Sequence, residues 1–256
     1  MTKEASQSEL FSALQQSAQL IQKQKRDLAR YQEPIAVIGM ACRFPGADTP
    51  EAFWELLQHG VDRVQEIPAD RWSVDDYYDP VPGTPGKSYV RYAAVLDQID
   101  GFDPQFFGIS PREAISMDPQ HRLLLESSWE ALERAGYAPA TLRNSKTGVF
   151  IGVSSSEYTS LIAEEQRTDP YVTTGNHPIF ASGRLSYVLG LQGPNLVVDT
   201  ACSASLIGVH LACESIRNGS SDLALAGGVH LMLSVQHHVG MSQLQALSAD
   251  GHCKNL

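Results

Sequence analysis

Cys202 stands within Asp199-Thr200-Ala201-Cys202-Ser203-Ala204-Ser205, directly after the apolar run Leu196-Val197-Val198 and at the head of a helical pattern running from about Ser203 to Arg217. That order predicts a sharp strand-to-helix turn, with the thiol in the first turn of a buried helix. Unpaired backbone N–H groups and the positive end of the helix dipole favour an anion at that point. A thiol so placed is expected to ionise and attack carbonyl carbon more readily. The small neighbours Ala201, Ser203, Ala204 and Ser205 would let a substrate approach the helix start and leave its N–H groups free as oxyanion donors. The chemistry this suits is acyl-thioester transfer. The plainer alternative is a small buried apolar side chain, which is what most free cysteines are.

A cysteine nucleophile ordinarily works with a base or proton donor. The chain has eight histidines: His59, His121, His177, His210, His230, His237, His238 and His252. His210 lies two turns into the helix of Cys202, at the wrong end to reach the thiol. His59 and His121 fall on helix patterns with polar neighbours and are expected on solvated faces. His237-His238 reads as part of a loop rather than a metal site, because no third ligand stands at suitable spacing. No histidine is nominated as partner of Cys202, which weighs against a cysteine hydrolase.

Composition narrows the classes further. The chain has 256 residues, 43% of them hydrophobic, and a formal net charge of -10. That is enough for a sizeable core. The acidic balance argues against nucleic-acid binding and against attraction to an anionic membrane surface. Cys42, Cys202, Cys213 and Cys253 are far apart, without a Cys-x-x-Cys pair or a Cys/His cluster, so no metal site is expected and the chain reads as cytoplasmic and reduced. The polar start Met1-Thr2-Lys3-Glu4 does not resemble a signal peptide. The most apolar stretches are interrupted by Asp199, His210 and His230, which argues against a transmembrane helix.

Residues 6–31 form a separate helical pattern, with Ser6 and Glu9 as a capping-box start. Phe11, Leu14, Ala18, Ile21, Lys25 and Leu28 recur at spacings of 3 and 4, a seam with one polar break. Two readings stay open: a short parallel coiled coil between two copies, or one amphipathic helix lying on the body of the protein. After Pro34 a strand is expected at Ile35-Ala36-Val37-Ile38, then a turn-rich loop from Gly39 to Gly46 without dinucleotide-site spacing. Thr49-Pro50 should start a helix that Gly60 ends, and residues 61–110 read as an irregular surface excursion. Ser110 should cap a short helix, and Asp118-Pro119 should begin a longer one carrying Leu125, Trp129 and Leu132 on one face. Strands are expected over 147–153, 196–200 and 222–233, with helices over 178–189 and 203–217 between them. Apolar strands alternating with helices imply an α/β layered fold, its sheet largely parallel or mixed and covered on both faces.

The Asp199–Ser205 segment resembles the active-site motif of β-ketoacyl synthase domains of modular type I polyketide synthases. Pro34–Gly46, Met117–Glu126, Ser182–Tyr187 with Gly190–Pro194, Gly227-Gly228-Val229 and Ala249-Asp250-Gly251 resemble further motifs of that family, in its order. The resemblance implies a thiolase-like fold of layered αβαβα architecture, of which the first half would be present, preceded by an N-terminal helix. It divides the chain into residues 1–32, similar to docking or coiled-coil helices, and residues 33–256, the N-terminal region of the synthase. It implies that Cys202 accepts an acyl chain from the phosphopantetheine arm of an acyl carrier protein, and that a malonyl-type extender then decarboxylates and attacks that thioester. The backbone N–H of Cys202 would be one oxyanion donor. Met117, near the acyl pocket, would bind substrate with Ala201 and Ser203. No cofactor is implied as bound directly. Implied partners are carrier domains, a second copy of the chain paired through the strand before Cys202, and an upstream synthase protein docked through the first helix.

Two departures bear on activity. The family's two histidines, one in an HGTGT-like motif, belong to a region not found in this sequence, so the chain alone is expected not to condense. Ala204 replaces a common Ser, a harmless change. A non-catalytic dimerisation and carrier-docking module therefore remains the alternative. The last residues, Asp250–Leu256, read as falling short of a domain end, and an incomplete thiolase-like fold is expected to leave a helix layer uncovered and the chain marginal in solution.

Overall fold

The computed structural model describes residues 7–254, and the chain divides into two units, one ending at Val37 and one beginning at Ile38. The first unit is built on α1 (Gln7–Gln32), whose Phe11, Leu14, Ile21 and Leu28 are all exposed. Ser6 of the expected capping box lies outside the described residues.

The second unit opens with an irregular stretch and α2 (Pro50–His59), capped where expected: the Thr49 hydroxyl accepts from Ala52 N at 3.1 Å, and Gly60 closes the helix in the left-handed conformation. Next come β1 (Gln65–Glu66), α3 (Val74–Tyr77) and β2 (Tyr92–Ala93), the two strands pairing antiparallel. α4 (Pro111–Ser116) and α5 (Pro119–Arg134) lead to the central strand β3 (Thr147–Gly152). α6 (Tyr158–Leu161), α7 (Pro170–Asn176) and α8 (Ile179–Leu189) separate it from β4 (Asn195–Val198). α9 (Ala204–Arg217), β5 (Leu223–Gly228) and α10 (Val235–Gln243) complete the order.

β3, β4 and β5 make a parallel sheet in the order β4-β3-β5. The chain therefore steps from β3 to one side, then crosses back over β3 to the other. Right-handed crossovers in both directions require helices on opposite faces. α8 packs on β4 and β3, and α9 packs on β3 and β5. Val149, Ile151 and Val153 join Leu124, Leu125, Leu132, Ala181, Leu185 and Leu189 in the main core. The alternate positions Gly148, Phe150 and Gly152 point to the other face, where Gly208 of α9 rests against the Phe150 carbonyl. α9 turns Leu206 and Val209 outward, 71% and 44% exposed. Among the described residues no helix is long and apolar enough to cross a membrane.

Several expectations need correction. Ile35–Ile38 forms no strand: no neighbouring strand among the described residues supplies a ladder, and Val37 is 78% exposed. β5 covers only the first half of the expected 222–233 strand. Val229 N still reaches the Gly152 carbonyl at 3.1 Å, but from Leu231 the backbone bonds side chains, with Leu231 N donating to Gln120 Oε1 at 3.2 Å and Leu233 N and Ser234 N to Glu157 Oε2 at 2.9 and 2.7 Å. The 61–110 stretch is largely irregular but has its own small core of Ile67, Ala93 and Val95, backed by Trp72, Val74 and Met232. His121 is buried rather than solvated. His237 and His238 lie on α10 rather than in a loop, and the His238 ring bonds the Val90 carbonyl at 3.1 Å.

Candidate active site

The parallel register places Val198, Gly152 and Gly228 side by side, so three loops leave the sheet at one edge: residues 153–157, 199–203 and 229–234. Carboxyl ends of parallel strands are where α/β folds place ligands. Cys202 stands at this edge, exposed, in the single 3-10 turn Ala201–Ser203 between β4 and α9.

The turn is made by backbone strain and one carboxylate. Ala201 has φ of 52°, a left-handed conformation that costs an L residue energy and persists where surroundings enforce it. Asp199 enforces it: its Oδ1 accepts from Ala201 N at 3.0 Å and from Ser154 Oγ at 2.8 Å. The Ala201 N–H, and after it the Ser154 hydroxyl, hold the Asp199 carboxyl below the usual carboxylate range. Ser203, at the head of α9, gives the helix no side-chain cap. Its hydroxyl turns back to donate to Thr200 O at 3.0 Å and pairs with Thr200 Oγ1 at 2.9 Å. The first turn of α9 thus keeps its amide groups clear of a capping oxygen, beside the thiol.

α9 can begin this close to the sheet because β3 and β5 both end in glycine. A Cβ on Gly152 would come 2.8 Å from Ser205 N, and one on Gly228 would come 2.8 Å from Ser205 Cβ. These approaches seat the helix start directly over β3 and β5.

Below the loops lies a buried polar cluster that the motifs alone did not reveal. Asp118 caps α5 through Gln120 N at 2.8 Å, and its other oxygen accepts from Ser156 Oγ at 2.5 Å and Gln120 Nε2 at 3.2 Å. Burial pushes the Asp118 carboxyl up, against these donors and the charge of Arg122. The available signal was the Ser154-Ser155-Ser156 run after an apolar strand, which marks a loop rich in hydroxyl donors.

The candidate substrate residues separate. Ala201 and Ser203 flank Cys202, whereas Met117 is fully buried in the main core between α4 and α5, its carbonyl accepting from Arg122 Nε at 3.0 Å and Nη2 at 2.6 Å. Three of the eight histidines bond away from this edge: His59 to the Glu55 carbonyl, His238 to Val90 and His252 to Asp62. Among the described residues no group of three or more His, Cys, Asp or Glu could hold a metal ion.

Residues 32–256 match the family described as Beta-ketoacyl synthase, N-terminal domain. A mycocerosic acid synthase-like polyketide synthase of Mycobacterium tuberculosis H37Rv is 53% identical over 222 residues, covering 86% of this chain and 10% of that protein. A phthioceranic/hydroxyphthioceranic acid synthase of Mycobacterium tuberculosis CDC 1551 is 51% identical over 223 residues, covering 86% of this chain and 10% of that one. Among solved structures, the ketosynthase from module 6 of the bacillaene synthase of Bacillus subtilis 168 superposes with a TM-score of 0.78 at 42% identity, over 85% of this chain and 36% of its own. The chain thus spans about a tenth of the length of the curated relatives it matches.

Proposed function

The chain belongs to the β-ketoacyl synthase family, and from that premise we propose that it is the acyl-accepting part of a polyketide synthase ketosynthase, with Cys202 as the nucleophile. The observation that carries this reading is the exposed sulfur on a strained strand-to-helix turn, at the carboxyl edge of a parallel sheet. The Cys202 thiolate attacks the carbonyl carbon of an acyl thioester carried on the phosphopantetheine arm of an acyl carrier protein. The carbon–sulfur bond to Cys202 forms, the bond to the pantetheine sulfur breaks, and that thiolate leaves to take up a proton. The backbone N–H of Cys202 faces the developing oxyanion, and Ala201 and Ser203 line the approach. Met117 contributes to the acyl pocket from beneath, as part of its wall.

In the complete reaction a malonyl-type extender on a carrier loses CO2. The electron pair left at its α-carbon attacks the Cys202 thioester, which releases the Cys202 thiolate and gives a β-ketoacyl thioester two carbons longer. The residues of this chain bear on the first of these steps, acyl capture at Cys202. Residues 33–256 are the synthase region, and residues 1–32 serve dimerisation and docking to an upstream synthase protein, the whole working in the cytoplasm. The exposed α1 seam favours that role for the first segment.

Incubation with a radiolabelled acyl thioester tests the assignment. The chain should take label at Cys202, and Cys202→Ala should abolish it. Label persisting in that variant would reject the nucleophile. A chain that binds carrier protein yet takes no label would favour the non-catalytic docking module instead.

A further inference from the structure

We infer that Gln120 is a positioning residue for Cys202, acting with Asp118 through the 154–156 loop and Asp199; this rests on the acyl-capture reading of the site. Gln120 is 2% exposed and its amide is used at both ends. Nε2 donates to Asp118 Oδ2 at 3.2 Å and to Ser155 O at 2.9 Å, while Oε1 accepts from Leu231 N at 3.2 Å. The amide orientation is therefore determined, since the reverse would set its oxygen against a carboxylate and a carbonyl.

These bonds join the loop after β3, the neighbour of the Cys202 turn in the sheet order, to the loop after β5 beyond it. Asp118 adds a second tie through Ser156 Oγ at 2.5 Å. With residues 155 and 156 held, Ser154 presents its hydroxyl to Asp199 at 2.8 Å, and Asp199 holds Ala201 N at 3.0 Å in the left-handed conformation that precedes Cys202. A helix cap alone would need only the Asp118 contact to Gln120 N. The Gln120 side chain adds nothing to that cap. Two of its three bonds, to Ser155 O and from Leu231 N, reach the loops at the strand ends, so its effect is on the relative placement of those loops. Positioning of this kind acts on rate, because a small displacement of a reacting atom lowers reactivity steeply.

The test uses the full chain and an acyl N-acetylcysteamine thioester, with acylation of Cys202 followed by intact mass. Ser154→Ala and Gln120→Leu should each slow acylation about fivefold, the size expected for one net hydrogen bond. Because both changes cut one chain of contacts, the double variant should be no slower than the slower single one, and Ser154→Thr should restore the rate. Losses that multiply in the double variant, or singles that react at the wild-type rate, would overturn the proposal. Amide hydrogen exchange at Ala201 supplies a readout independent of acyl transfer: it should quicken in both single variants, and unchanged exchange in both would also overturn it. A wild-type chain that takes no acyl group would instead count against the acyl-capture reading and leave the exchange measurement to decide the positioning role.

Discussion

Lowering the pH from 7.5 to 5.0 should destabilise the chain through one buried histidine. His121 is 2% exposed, and among the described residues its Nδ1 has no hydrogen-bond partner. Burial, and after it the nearby Arg184 cation, push its pKa from 6.5 down to about 4. The folded state therefore keeps the ring neutral while the unfolded chain takes a proton near 6.5. Above that value both states are neutral and the histidine's contribution is complete. Between 6.5 and about 4 the unfolded state binds the extra proton, so stability falls with pH at up to about 1.4 kcal/mol per unit, and below about 4 the slope ends. At pH 5.0 the accumulated loss is about 2 kcal/mol. Urea unfolding at pH 7.5 and 5.0, of the wild type and of His121→Gln, isolates this contribution, because other titrations such as that of Asp118 cancel in the difference. The wild type should lose about 2 kcal/mol more than the variant. Parallel losses in the two proteins would refute the reasoning.

Gly152→Ala should push the start of α9 off the sheet, since its Cβ would meet backbone atoms of Ser205 and Ala204 at 2.8 and 2.9 Å; an expected cost of about 1–3 kcal/mol is read by urea unfolding. Acylation of Cys202 should slow in that variant, while alkylation of the exposed Cys253 proceeds as before. The hydrogen bond to Asp62 raises the pKa of His252, so their attraction is complete below 6.5 and is lost as pH rises through the raised value. Asp62 is itself lowered, so the pair also dissolves as pH falls through that lower value. An NMR titration of the His252 ring should show the upward shift and lose most of it in Asp62→Asn.

What the sequence disclosed depended on how local each signal was. Thr49-Pro50, Ser110 and Asp118 announced helix starts because an N-cap acts within three residues, and all three side chains accept the expected backbone N–H. The Cys202 turn was legible for the same reason, as an apolar strand, a small-residue turn and a helix in sequence. The Ile35–Ile38 run misled because an apolar segment becomes a strand only where a neighbour supplies the ladder. The 222–233 strand misled because its second half is satisfied by Gln120 and Glu157, more than 75 residues away in sequence. His121 was misplaced by its polar neighbours: Asp118 and Gln120 are polar, yet they face inward and bond one another. The Gln120 clasp was invisible for the same reason, since nothing in one helix start indicates which loops it will hold.

The exposure of Cys202 follows from topology before it follows from the residue. β4 is an edge strand, and the chain must return from Val198 across β3 to reach β5 on the far side. The helix that makes the crossing has to pass over β3, and Gly152 and Gly228 let it begin directly on the strand ends. Only residues 199–203 remain to turn the chain from the sheet plane to the layer above it. So short a connection leaves little choice of backbone, and the positive φ falls at Ala201, where Asp199 can hold it. Whatever residue follows is presented at the sheet edge beside the first turn of α9, and here that residue is a cysteine. On this argument Gly152 and Gly228 belong to the site as fully as Asp199 does. A bulky substitution at either glycine would move the helix start, and with it the sulfur, without touching the residues that flank Cys202.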